Sequence, residues 1–107
     1  MANAFKNAGA ALTTGGADIY TAGAGVSAVI HSIYIANIDG TNDATVDIKV
    51  TTDNGSTYYH VAKTIPVPAD SSLVMDKPIN LEPTDKIHMT ASANGDLEVY
   101  MAILEIT

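Results

Sequence analysis

Alternation is the feature that most limits this chain. Over residues 44–53, Val46, Ile48 and Val50 fall on one side and Asp47, Lys49 and Thr51 on the other, the period of two that a half-buried strand requires. The same pattern puts Leu97, Val99, Met101 and Ile103 on one face, and sets Ile87, Met89 and Ala91 against Lys86, His88 and Thr90. Residues 27–38 are apolar on both sides, with Ile33 and Ile35 against Ile30, Tyr34 and Ile38. That suits a central strand covered twice, or a strand with one face against another subunit. No long stretch repeats at 3.6 residues, so helices are not expected.

Turn chemistry separates the runs. Asp39-Gly40-Thr41-Asn42-Asp43 and Asn94-Gly95-Asp96 are polar breaks, and Asn54-Gly55 is a strong hairpin signal because both residues tolerate positive φ. Pro66 and Pro68 lack a ladder donor and cannot lie inside a central strand. Pro78 and Pro83 flank a short segment through Leu81. Strands are expected near 17–22, 27–38, 44–53, 57–66, 71–76, 85–92 and 96–106. Seven or eight short strands at this spacing make a sandwich or barrel. The expected architecture is all-β, a single antiparallel β-sandwich of jelly-roll-like form.

The first 16 residues differ. They are rich in Ala, Gly and Thr, weakly patterned, and contain Phe5, the only Phe of the chain. They read as an extended N-terminal arm over 1–16, ahead of a sandwich domain over 17–107. Either this is a frayed end or an arm laid on a neighbouring subunit. Phe5, Leu12 and Tyr58 are the candidate subunit-contact residues.

Composition removes several function classes. Twelve acidic and 5 basic residues give a net charge of −7, and every basic residue is Lys. Five scattered Lys do not form the cationic cluster that grips a phosphate backbone, so no nucleic-acid partner is expected. No run approaches the roughly 20 apolar residues of a membrane helix, and Met1–Lys6 makes a poor signal peptide. The expectation is a protein made in a cytoplasm that leaves it, if at all, within an assembly or by lysis. With no Cys there is no disulfide or thiol chemistry. Only 16% of residues are charged while 47% are hydrophobic, against about 25% charged in a typical soluble domain. Such a chain has much uncharged surface, which is better buried between subunits than left in water.

No motif carries catalysis, and none calls for a cofactor or a metal. Gly23-Ala24-Gly25-Val26-Ser27-Ala28 fits the G-x-G-x-x-A fingerprint. That motif needs a helix behind it, and here a β-branched run follows. His31, His60 and His88 are the only imidazoles. They could converge on a metal from three strands, or from three subunits about an axis, but polar strand positions explain them equally well. Asp39, Asn42 and Asp43 carry oxygens of the kind Ca²⁺ prefers, without EF-hand spacing; a turn stabilised by its own side chains accounts for them. Asn54-Gly55-Ser56 fits the glycosylation pattern but reads as the hairpin turn. Tyr20, Tyr34, Tyr58, Tyr59 and Tyr100 could anchor an interface or stack on a sugar. Tyr58 and Tyr59, being adjacent, are expected to face opposite ways, one towards the core.

The order of these segments is similar to that of a widespread group of small β-sandwich proteins encoded among the structural genes of tailed bacteriophages. The likeness covers about 17–107. It runs through Ile33-Tyr34-Ile35-Ala36-Asn37, Ala44–Val50, Ile65-Pro66-Val67-Pro68-Ala69-Asp70-Ser71-Ser72-Leu73, Ile79-Asn80-Leu81, Asp85–Ser92 and Leu104-Glu105-Ile106. The group's loops commonly carry Gly before the Asp of the sixth strand, where this chain has Pro83-Thr84-Asp85. The resemblance implies a non-enzymatic virion component: a capsid decoration or cement protein, or a part of the neck, collar or tail. Its implied partner is a major capsid, neck or tail protein, with self-association, a trimer being favoured. A carbohydrate- or receptor-binding module is the alternative.

Overall fold

The computed structural model describes residues 2–107 and holds nine strands. They are β1 (Asn3–Ala11), β2 (Ala17–Thr21), β3 (Ser27–Asn37), β4 (Ala44–Thr51), β5 (Tyr59–Val67), β6 (Ser72–Met75), β7 (Ile79–Leu81), β8 (Lys86–Ala91) and β9 (Leu97–Ile106). No helix forms among the described residues. All pairings are antiparallel. Sheet A has the order β1-β9-β3-β6, with β7 also on β3; sheet B has the order β2-β8-β4-β5.

Both β6 and β7 pair with β3, and Asp76-Lys77-Pro78 interrupts them, where Pro78 has no N–H to donate to the ladder. Counted as one broken strand, they leave two four-stranded sheets between which the chain passes in jelly-roll order. The expected all-β sandwich is what forms, with nine strands rather than seven or eight.

The core lies between the sheets. Ile30, Ile33, Ile35, Leu97, Met101 and Ile103 from sheet A meet Val46, Ile48, Ile87 and Met89 from sheet B, all fully buried. All but Ile30 are alternate residues of their strands, so period-two patterning places them inside. Alternation alone sets Ile30 opposite Ile33 and Ile35; the bulge between Ile30 and Ser32 brings it to the core side instead. Truncating one such side chain to Ala costs about 2–5 kcal/mol.

Residues 1–16 were expected as an arm. Residue 1 lies outside the described residues; residues 3–11 form β1, which pairs with β9 of the same chain from Asn3↔Ile106 to Ala11↔Glu98 without a register shift. Leu12 follows, is 1% exposed, and donates its N–H to the Leu97 carbonyl. Leu12 is therefore a core residue of the sandwich and offers no surface to a partner, which corrects its place among the contact residues. The turn after it is tied to the 91–95 loop: Thr13 O accepts from Ala91 N–H, Leu12 O from Gly95 N–H, and Asn94 Oδ1 from Thr14 N–H. Gly16 closes that turn at φ +75°, where a Cβ would lie 2.6 Å from both His88 Nε2 and Thr90 Oγ1. Only glycine fits there.

The edges of the sheets are blunted in different ways. β5 carries Pro66 at the edge of sheet B and bulges opposite Asp47. Lys63 and Thr64 share that bulge, and Thr64 sits at φ +54° with its N–H on Asp47 Oδ1 at 2.6 Å. β2 is short and shifts register between Asp18 and Tyr20. The Asn54-Gly55 hairpin forms as read, with φ of +61° and +95° at its two central residues. Below it the buried Thr51 hydroxyl donates to Asp53 Oδ1 and accepts from Gly55 N–H.

Candidate functional site

Antiparallel partners share a face, so the register sorts the outer residues of each sheet. The outer face of sheet B is polar. Its strands present Asp18, Asp47, Lys49, Lys86, His88 and Thr90. Asp18 takes Lys86 at 3.7 Å and His88 at 3.0 Å. Tyr58 packs over this face, its ring 5.4 Å from that of His88 and 5.5 Å from Lys49 Nζ. Tyr58 is half-buried there and Tyr59 is 65% exposed. Neither enters the core, because residue 58 precedes β5 and the end of the sheet lies open beside Tyr59.

The outer face of sheet A is different. Phe5, Leu104 and Val29 form one row; Gly9, Tyr100, Tyr34 and Val74 form another; Ala11, Glu98, Ala36 and Ser72 a third. Glu98 is the one Asp, Glu or Lys among the described, paired residues of this face. Four of the large apolar side chains that the fold leaves exposed stand here: Phe5 at 86%, Val74 at 52%, Tyr100 at 50% and Tyr34 at 44%. Tyr34 and Tyr100 are direct cross-strand partners. Beside them Ala11 and Ala36 form a low floor, and the step between ring and methyl leaves an open depression of about 440 Å³ with Glu98 at its rim. The sequence signal was present in the two-sided apolar run of β3; what it lacked was the pairing that sets Tyr34 beside Tyr100 and Val74.

The other sequence candidates are not brought together. His31 sits at a bulge of sheet A, while His60 and His88 lie on sheet B. Among the described residues no group of three His, Asp or Glu is placed to hold a metal. The Asp39 carboxylate accepts from the N–H groups of Thr41 and Asn42 and from the Asn42 amide. These bonds hold it below the usual carboxylate range. Gly23-Ala24-Gly25-Val26 is a turn closed by Val26 N–H on Gly23 O, and it opens a strand, not a helix. A smaller hollow of about 220 Å³ on sheet B contains Asp47 and Ser92. Both are occupied internally, Asp47 by Thr64 N–H and Ser92 Oγ by Thr45 N–H.

The chain matches no protein-family model and no curated protein. Solved structures share its fold. A chain of the Bacillus endospore appendages, described as disulfide-linked pili, superposes with a TM-score of 0.59 at 19% identity, over 99% of this chain and 87% of that one. A chain of the acid-stable capsid of Helicobacter pylori bacteriophage KHP30 gives 0.56 at 8% identity, over 100% and 89%. A chain of infectious bursal disease virus, strain Gt, gives 0.51 at 13%, over 96% and 31%. The fold is thus similar to viral capsid-type β-sandwiches. Having no Cys, this chain cannot form the disulfide linkage named for the appendages.

Proposed function

We propose that this chain is a non-enzymatic structural protein of a phage particle, of the decoration or cement type, that docks through the outer face of sheet A on a capsid or neck subunit. The asymmetry of the sandwich carries this reading. One outer face is charged and solvated, and the other offers aliphatic and tyrosine side chains with a single carboxylate. Burying such a face excludes water from apolar area at little desolvation cost. Tyrosines beside a shallow hollow are the kind of anchor that concentrates binding energy. The capsid-type fold and the order of sequence segments point to the same setting. Within this reading the protein reaches the virion after synthesis in a host cytoplasm, it self-associates, and the trimer expected from the sequence is the copy number to measure there.

The experiment is mass spectrometry and cryo-electron microscopy of particles banded from a culture that encodes the chain. Stoichiometric copies on the shell or neck, seated by sheet A, support the reading. Particles free of the chain overturn it. The Tyr34–Tyr100 pair also suits a sugar ring; saturable binding on a glycan array with no particle association would select the carbohydrate-binding alternative.

A further inference from the structure

The outward backbone of β1 has no partner among the described residues. Ala2 and Thr107 exchange both backbone hydrogen bonds, at 3.1 and 2.9 Å, and Leu12 N–H bonds Leu97 O at 2.9 Å. In an antiparallel ladder, hydrogen-bonded and non-hydrogen-bonded pairs alternate. The even residues of β1 therefore bond β9, and Asn3, Phe5, Asn7, Gly9 and Ala11 turn their N–H and C=O groups to the free edge. All five are exposed. The other edges are short, bulged or interrupted by proline; β1 is nine residues long, unshifted and free of proline. Its one charged residue is Lys6. A long flat edge of this kind is a template for another strand.

We propose that β1 is a homodimerisation edge: two copies pair β1 with β1 antiparallel about a two-fold axis at Asn7. Self-complementarity selects the occupant and the register. With Asn7 opposite the partner's Asn7, every outward residue meets another outward residue, so all the free backbone groups bond in pairs. Phe5 then faces the partner's Gly9. Around Gly9 the nearest atoms to a hypothetical Cβ are Val99 O at 3.4 Å and Tyr100 Cδ1 at 3.7 Å. A ring laid there covers bare backbone and abuts a tyrosine, the way an aromatic residue compensates a glycine across a strand pair. Lys6 faces the partner's Ala8 in this register, whereas an axis at Lys6 would set two ammonium groups directly opposite, which destabilises a sheet. The contact is isologous and closes on itself. Both outer faces of sheet A then lie on one side of a continuous sheet. The pairing goes beyond the docking reading and does not need it, since it forms in solution without any particle.

Sedimentation velocity of the full chain tests it. The wild type is expected to run as a dimer and Asn7→Pro as a monomer with an unchanged melting temperature, because the Asn7 N–H points away from β9 and proline is tolerated at such an edge position. Should Asn7→Pro fail to fold, Phe5→Ser decides: it alters a side chain that is 86% exposed and should weaken dimerisation at least tenfold. As the chain has no Cys, Asn7→Cys should oxidise to a disulfide-linked dimer, its cross-strand distance of about 5.5 Å falling within the disulfide range. Asn80→Cys, on the opposite edge, should not. A wild type monomeric up to about 100 μM, a dimer that survives Phe5→Ser or a folded Asn7→Pro, or equal cross-linking at positions 7 and 80 overturns the proposal. A dimer found here, with particles free of the chain, would sink the docking reading alone.

Discussion

Asn37 stands on β3 and Val67 on β5, in different sheets, and the Asn37 side-chain amide donates to the Val67 carbonyl at 2.9 Å across the sandwich. The same amide donates to Asn42 O at 2.9 Å, and its Oδ1 accepts from Asp39 N–H at 2.9 Å. Asn37 is only 4% exposed. One buried side chain thus joins the end of β3, the 38–43 loop and the end of β5.

Replacing it should be costly. Asn37→Ala strands the buried Val67 carbonyl and leaves the part-buried Asn42 carbonyl and Asp39 N–H without their partner, a loss of about 1–3 kcal/mol. Asn37→Asp should lose at least as much at neutral pH, because a carboxylate has no N–H to give and would face two carbonyl oxygens. Urea denaturation measures both. A loss below about 0.5 kcal/mol for Asn37→Ala would show that the bridge does not hold the sheets.

Leu12 settles how the first segment is held. Its side chain is 1% exposed and belongs to the core cluster. Leu12→Ala should therefore destabilise the fold by about 2–5 kcal/mol. Deleting residues 1–16 should lower the melting temperature and expose the edge of β9, so loss of particle binding on truncation would not isolate a contact. Thermal melts of both variants check this; a truncated chain that melts like wild type would contradict the packing of Leu12.

Two threonines occupy a conformation suited to glycine. In the turn Glu82-Pro83-Thr84-Asp85, Asp85 N–H bonds Glu82 O at 3.0 Å and Thr84 has φ +72°. Proline followed by a positive φ is the type II pattern, which favours Gly at that place. A β-branched residue in the left-handed region is strained by about 1–3 kcal/mol. Thr84→Gly should recover part of this, a net gain of about 0.5–1 kcal/mol after the entropy glycine loses on folding. The bulge residue Thr64, at φ +54°, should respond likewise to Asn, which tolerates this region. Differential scanning calorimetry reads the shifts; lowered melting temperatures for both would refute the strain.

A second link between the sheets fixes the alkaline limit. Tyr20 of β2 donates its hydroxyl to Glu105 of β9. Burial first, then the hydrogen bond and charge of Glu105, push the Tyr20 phenol well above its ordinary 10.0. Folding prefers the protonated phenol, so its contribution is complete below pH 10 and is lost as pH rises above it. Stability should therefore fall progressively as pH rises beyond 10. Tyr20→Phe should start less stable at pH 8 and flatten this limb. Equilibrium unfolding between pH 8 and 11.5 tests it; an unchanged limb in Tyr20→Phe would assign the loss elsewhere.

The strands that face the core were legible because their burial is written at period two. Val46, Ile48, Ile87, Met89, Val99 and Met101 all point inward as the alternation requires. β1 was not legible. Its inward residues Ala4, Lys6, Ala8 and Ala10 lie at a sheet edge where little is buried, so nothing alternates, and only the register with β9 makes it a strand. The bulge at Thr64 and the break between β6 and β7 were also invisible, since both depend on how neighbouring strands pair. The apolar outer face of sheet A was half visible: Tyr34 and Ile33 appear as opposite sides of one run, but no local pattern places Tyr34 beside Tyr100.

Val74 offers the cleanest test of that face. It stands on β6 opposite Tyr34, is 52% exposed, and lies across β3 and β9 from the β1 edge. Val74→Glu adds a charge to a surface whose strands carry only Glu98, so docking there would bury an unpaired carboxylate. Folding should change little, within about 0.5 kcal/mol, as for most exposed substitutions, and solution self-association through β1 should be kept. Recovery of the protein with particles should fall at least tenfold. Thr21→Glu, exposed on the polar sheet B opposite Lys86, should leave recovery intact. Equal recovery of Val74→Glu and wild type in particle pull-down would mean that sheet A is not the surface that meets the shell.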